Sequence, residues 1–195
     1  MSAPHSARDQ FRPPPSPSVA IHLHIQPECA LGVVRSIEVV VEIPKGSRNK
    51  YEFDHKRNIM RLDRRLLSAT TYPADYGFIP DTLSEDGDPL DALVLLDEPT
   101  FPGCVVAARP VGVFWMEDEK GADAKIICFA EHDPMWDHIK DVFELPNVLL
   151  AEIEHFFEVY KTLEDKKTAT HGFEGPEAAW KEIETSRARG AGGSH

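Results

Sequence analysis

Hydrophobic and polar positions fall into short runs from Ser36 onward. IEVVVEI, KYEFD, DALVLLD, CVVAARPVGVFWM and AKIICFA are rich in Val, Ile, Phe and Trp and are separated by Pro, Gly, Asn and Asp. β-Branched and aromatic runs of this length, cut by turn-forming residues, predict strands, and five or more in series predict a barrel or a sandwich. After Asp133 the period changes. Val148, Ile153, Phe156, Phe157 and Tyr160 follow three- and four-residue steps in a segment that Pro146 can open. A second, shorter helix is expected from Pro176 to Arg187, ahead of the ending GAGGSH. The expected class is α+β, a β barrel followed by helices.

The flanks read differently. Residues 1–18 are rich in Ser and Pro, which neither pair as a strand nor continue a helix. Val19–Ile25 alternates, with His22 and His24 opposite Ile21, Leu23 and Ile25, the pattern of an edge strand with a solvated face. The expected organisation is an N-terminal extension over residues 1–35, partly disordered, one domain over 36–188, and a flexible Gly-rich tail over 189–195.

Charge narrows the function. The 195 residues include 33 acids against 21 Lys and Arg, a formal net charge of −12. With no basic run to offset that field, a polyanionic nucleic acid is not an expected partner. No apolar run is long enough to span a membrane, and no secretory signal opens the chain, so a cytoplasmic location is expected. Cys29, Cys104 and Cys128 are odd in number and form no CxxC, which argues against a disulfide framework or a structural zinc site. Cys104 and Cys128 sit in apolar runs and are expected in the core.

The densest chemical signal is Asp86-Gly87-Asp88-Pro89-Leu90-Asp91. In an extended segment Asp86 and Asp88 share a face, and the turn at Gly87 and Pro89 brings in Asp91. An EF-hand is excluded, because its loop needs Gly where Asp91 stands and helices rather than strands on either side. A second acidic stretch, Glu117 to Asp123, lies between expected strands ending at Met116 and starting at Lys125, so that a hairpin presents Asp118 and Asp123 together. Each stretch alone reads as a solvated acidic turn. Together they suggest an all-oxygen cage for a hard divalent cation, with Mg²⁺ the default. Lys50, Arg64, Tyr76, Lys125 and the pair Tyr160-Lys161 stand at strand and helix ends. Singly they read as solvated side chains; near a carboxylate cage they describe a phosphate clamp. Neither GxxxxGK[ST] nor GxGxxG occurs.

The ordered strings EIPKGSRNKYE (Glu42–Glu52), YPADYGFIP (Tyr72–Pro80), DGDPLD, Arg109–Gly112, Asp118-Glu119, Asp123–Lys125, Trp136–Ile139 and His155–Lys161 resemble the soluble family I inorganic pyrophosphatases. The resemblance spans roughly Ile37 to Lys166, and its wording is most similar to the actinobacterial branch. It implies an OB-like closed β barrel with flanking C-terminal helices, Mg²⁺-dependent hydrolysis of pyrophosphate to two phosphates, and a homohexamer. Several Mg²⁺ per site are implied, with Mn²⁺ or Zn²⁺ as substitutes. By motif position, Asp86, Asp91, Asp118 and Asp123 are implied metal ligands, with Glu42 and Glu52 reaching metal directly or through water. Lys50, Arg64, Tyr76, Lys125, Tyr160 and Lys161 are implied substrate contacts. Asp88 is implied to accept the proton of the attacking water, a role sometimes given to Asp123. Asp63 and Glu119 are implied supporting carboxylates, and His155 a subunit contact. Two alternatives stay open on the residues: a non-catalytic metal- or anion-binding barrel, and a related hydrolase acting on nucleotides.

Overall fold

The computed structural model describes residues 35–164 and 166–192. The segment VAIHLHI and Cys29 lie outside them. Strand β1 (Ile37–Ile43) buries Ile37, Val39, Val41 and Ile43, the period of two that its sequence predicts. β2 (Asn49–Asp54) and β3 (Ile59–Arg65) form a separate two-stranded hairpin. The chain then returns through β4 (Asp75–Phe78), β5 (Asp91–Leu95), β6 (Val105–Asp118) and β7 (Gly121–Ala130). β8 (Ala169–Glu174) follows the helix α1 (Asn147–Val159), and α2 (Pro176–Gly192) closes the described chain.

The main sheet runs β1-β4-β5-β7-β6-β8, and β1 also pairs with β6. That extra pairing closes five strands into an OB-like barrel and leaves no free edge among them. β6 is long enough to serve three partners. Its first residues pair with β1, its length with β7, and Val113–Glu117 with β8. Pro110, which cannot donate to a ladder, sits where the β6–β7 register shifts. Gly77 permits the closure: a Cβ there would lie 2.0 Å from the Val40 carbonyl oxygen across β1–β4.

β5 and β7 are buried on both faces, which is why their sequences read as unbroken apolar runs. Leu93, Ile127 and Phe129 face a cluster that includes Ile153, Phe156 and Phe157 of α1. Ala92, Val94, Ile126 and Cys128 face another that includes Ala179 and Ile183 of α2. Fully burying one such Phe or Ile stabilises by about 1.5–3 kcal/mol, so each helix is held by a few side chains.

Several expectations need correcting. Beyond the five runs marked in the sequence, and within its expectation of five or more, β3, β4 and β8 are further strands among the described residues. β6 and β7 extend to Asp118 and from Gly121, shrinking the acidic loop to Glu119-Lys120. α2 continues past Arg187 through residues expected in the Gly-rich tail. Arg189 holds that turn, donating to Glu85, Glu182 and the Leu83 carbonyl. Cys128 is buried as expected, but Cys104 is only half-buried at the start of β6.

Candidate active site

One end of the barrel, the β2–β3 hairpin and the C-terminal end of α1 enclose a cavity of about 450 Å³. Glu42, Lys50, Glu52, Arg64, Tyr76, Asp86, Asp88, Asp91, Asp118, Asp123, Lys125, Tyr160 and Lys161 all line it, so every expected site residue is brought to one place. Glu119, Lys120 and Lys166 also line it.

One lining residue is a buried lysine held between acids. Asp91 opens β5 and pairs in parallel register with Lys125 of β7, while Asp123 lies two residues back on the same face. Lys125 Nζ lies 2.6 Å from Asp91 Oδ2 and also pairs with Asp123, and its side chain is 2% exposed. Burial opposes its charge, but Asp91 and Asp123 outweigh that and raise its pKa. The rings of Tyr76 and Phe157 flank the ammonium at 5.6 and 5.7 Å. The Tyr76 hydroxyl donates to Asp91, and burial together with that carboxylate pushes its pKa well up.

Around this lysine each acid has a defined neighbour. Asp118, at the end of β6, accepts from Lys161 Nζ at 2.8 Å and from the Lys120 N–H at 2.8 Å. Burial works against its charge, yet those bonds hold its pKa below the usual carboxylate range. Asp123 is pushed the other way: burial raises it, and Lys125 only partly compensates. Asp86 accepts from the Asp88 N–H at 3.1 Å across the turn at Gly87, whose φ is 89°. Asp88 is exposed and meets Lys120 Nζ at 2.7 Å. Glu42 accepts from the Phe53 N–H at 2.7 Å, which ties the hairpin to β1, and burial pushes its pKa up to about 7.

The hairpin carries the remaining polar groups. Lys50 pairs with Glu52 and lies 3.6 Å from Asp63, while Arg64 pairs with Asp63 and with Glu164. The expected convergence of three acids into one ready cage is not met among the described residues. Lysines stand between the acids instead, because like charges this close need a compensating cation. His55 is packed edge-on against Phe53 and Phe78 at the cavity wall. His155 lies on the exposed side of α1, 3.8 Å from Glu158.

Two of the resembling motifs serve the scaffold. Buried Arg109 donates to the carbonyls of Ile139 and Trp136, so the Arg109–Gly112 and Trp136–Ile139 strings pin each other away from the cavity.

The family model described as inorganic pyrophosphatase matches residues 39–190. The chain belongs to the inorganic pyrophosphatase family. It is 53% identical over 154 residues to the inorganic pyrophosphatase of Methanosarcina mazei, covering 78% of this chain and 87% of that one. Its identity to the Streptomyces coelicolor enzyme of the same name is 56% over 131 residues, covering 67% and 80%. The crystal structure of the Thermus thermophilus inorganic pyrophosphatase superposes with a TM-score of 0.78 at 47% identity, covering 80% of this chain and 91% of that one. The OB-like barrel and its two C-terminal helices are therefore the family fold. Among the described residues no helix is long and apolar enough to cross a membrane.

The donor set suits the metal dependence general to this family. Among the described residues eight carboxylates line the cavity with no thiol and a single imidazole, His55, which is packed against Phe53 and Phe78; a set dominated by oxygen donors matches a hard divalent cation. Sequence reasoning placed neither Lys166 at the cavity nor Glu164 beside Arg64. Only their position after the Tyr160-Lys161 turn hints at it.

Proposed function

We propose that this cavity hydrolyses inorganic pyrophosphate to two phosphates, with its carboxylates holding Mg²⁺ and its Lys, Arg and Tyr side chains holding the substrate. The observation that carries this reading is the interleaving of eight carboxylates with Lys50, Arg64, Lys120, Lys125, Lys161 and Lys166 around one cavity. A simple metal-binding barrel has no use for so many cations, and a simple anion site has no use for the acids.

Asp86, Asp91, Asp118 and Asp123 would hold the ions, with Glu42 and Glu52 at the hairpin side. When bound, Mg²⁺ would supply charge neutralisation and a water of lowered pKa; Mn²⁺ or Zn²⁺ are candidate substitutes. Asp88 accepts the proton of the attacking water: it is the most exposed acid of its turn, and among the described residues its carboxylate pairs with the exposed Lys120 Nζ and takes no backbone bond. Lys50, Arg64, Lys125, Tyr160 and Lys161 orient the diphosphate and stabilise the charge that builds on the departing phosphate, and Tyr76 keeps Asp91 aimed at the cavity. Phosphoryl transfer needs this positioning and neutralisation more than covalent help from the protein.

Asp88→Asn and Asp123→Asn test the assignment. Each is expected to lose about 10²–10⁴ in turnover while keeping its circular dichroism. Near wild-type phosphate release from both sinks the assignment of roles. The working form is a cytoplasmic homohexamer, and the exposed apolar side chains of Phe143, Val148 and Leu163 provide surface for such an assembly to cover.

A further inference from the structure

Arg64 is held from a place remote in sequence. Its Nε donates to Glu164 Oε1 at 3.0 Å and its Nη2 to Glu164 Oε2 at 2.8 Å, a two-pronged pairing between residues 100 positions apart. Glu164 ends the short 3-10 turn Thr162–Glu164 that follows Lys161, and its side chain is only 11% exposed. A parallel fork of this kind fixes both the position and the plane of a guanidinium, which a single ion pair does not. It also leaves the remaining donors on Nη1 and Nη2 for another acceptor; Asp63 uses one of them on Nη1.

The place matters because β2 and β3 stand outside the barrel sheet. Glu42 ties the hairpin to β1 at Phe53 rather than at Arg64, and without a brace of its own the Arg64 side chain would follow the hairpin. With it, Arg64 is referenced to the same turn that carries Tyr160 and Lys161. We propose that Glu164 is a positioning residue for the reaction: it locks the Arg64 guanidinium at the orientation in which its free donors meet a phosphoryl oxygen, and so keeps the hairpin's cation in register with Lys161. The inference rests on Arg64 being a substrate contact, as read above. Glu164 itself touches neither substrate nor metal.

A double-mutant cycle on the full chain tests this, using phosphate release from pyrophosphate with Mg²⁺ and thermal melting of every variant. Glu164→Ala is expected to lower kcat/KM by about 10- to 100-fold, since misplacing a positioning group by about 1 Å can cost about 10²-fold. Glu164→Gln, which keeps one acceptor oxygen, recovers part of that loss. In an Arg64→Ala background, Glu164→Ala changes kcat/KM by no more than about twofold. An equal loss from Glu164→Ala with and without Arg64 overturns the proposal, as does wild-type kcat/KM in Glu164→Ala when Arg64→Ala is impaired. Should Glu164→Ala not fold, Glu164→Gln completes the same cycle. Wild-type kcat/KM in Arg64→Ala alone is a separate outcome: it rejects Arg64 as a substrate contact, and the proposal falls with that reading.

Discussion

Replacing Lys125 by Met keeps the length and apolar stem of the side chain and removes only its charge. In the folded protein Lys125 is 2% exposed and compensates Asp91 and Asp123, which are 24% and 13% exposed. The substitution therefore leaves two mostly buried carboxylates facing each other without a cation. Breaking a buried pair in this way costs about 3–5 kcal/mol, because the residual charge stays desolvated. For a domain of this size 1 kcal/mol shifts Tm by about 2–4 °C, so Lys125→Met should melt roughly 10 °C below wild type when metal is chelated. On the proposed reading, Mg²⁺ bound between Asp91 and Asp123 replaces the charge that Lys125 no longer supplies, so it should stabilise the variant more than wild type and narrow that gap. The assay is thermal melting followed by circular dichroism, with chelator and with excess Mg²⁺. Melting within about 2 °C of wild type under chelation, or a gap that Mg²⁺ leaves unchanged, would refute the reasoning.

Two further outcomes follow from particular residues. Burial pushes Glu42 up to about 7 from its ordinary 4.5, so the folded state binds its proton more tightly than the unfolded chain, and stability is lost as pH rises between those values. Glu42→Gln removes that loss: under chelation its stability relative to wild type should improve by about 3 kcal/mol between pH 4 and pH 8 in urea unfolding, and an unchanged difference contradicts the assignment. Gly77→Ala places a methyl 2.0 Å from the Val40 carbonyl oxygen and should cost about 3 kcal/mol by the same measurement; a near-neutral effect would mean that β1 and β4 can separate without penalty.

The elements legible in the sequence were those whose side chains are buried. β1 alternates because one face is core, and β5 and β7 are continuous because both faces are. β3 was not legible as a strand: Arg61, Leu62, Asp63 and Arg65 are exposed, and a hairpin outside the barrel has no core face to impose a period. β4 is only four residues long, and the sequence of β8, ATHGFE, lacks the β-branched richness that marks a strand. α2 outran its expected end because Arg189 finds acceptors on the distant Leu83–Glu85 stretch, which local helix signals cannot register.

The residues that gather at the cavity were easier to read from the sequence than the strands β3, β4 and β8. Acids clustered within six residues announce themselves, and the cavity gathers the cations that the sequence left scattered from Lys50 to Lys161. What the sequence could not express is which acid each cation serves. Lys161 meets Asp118, Lys120 meets Asp88, and Glu164 takes Arg64. These pairings depend on strand register and on where α1 ends, so they exist only once the barrel has closed.

The net charge of −12 also takes on a specific meaning. An acidic chain repels a polyanionic partner, yet the proposed substrate is a small polyanion. Around the cavity the acids outnumber the cations, so loading with divalent ions is what turns a repelling site into an attracting one.

That reversal makes one measurement decisive: phosphate release by the purified full chain from pyrophosphate, from ATP and from a phosphomonoester, each with Mg²⁺ and after chelation. The account predicts rapid release from pyrophosphate alone, abolished by the chelator and restored by Mg²⁺. Faster release from ATP than from pyrophosphate, or pyrophosphate turnover that survives chelation, would contradict it.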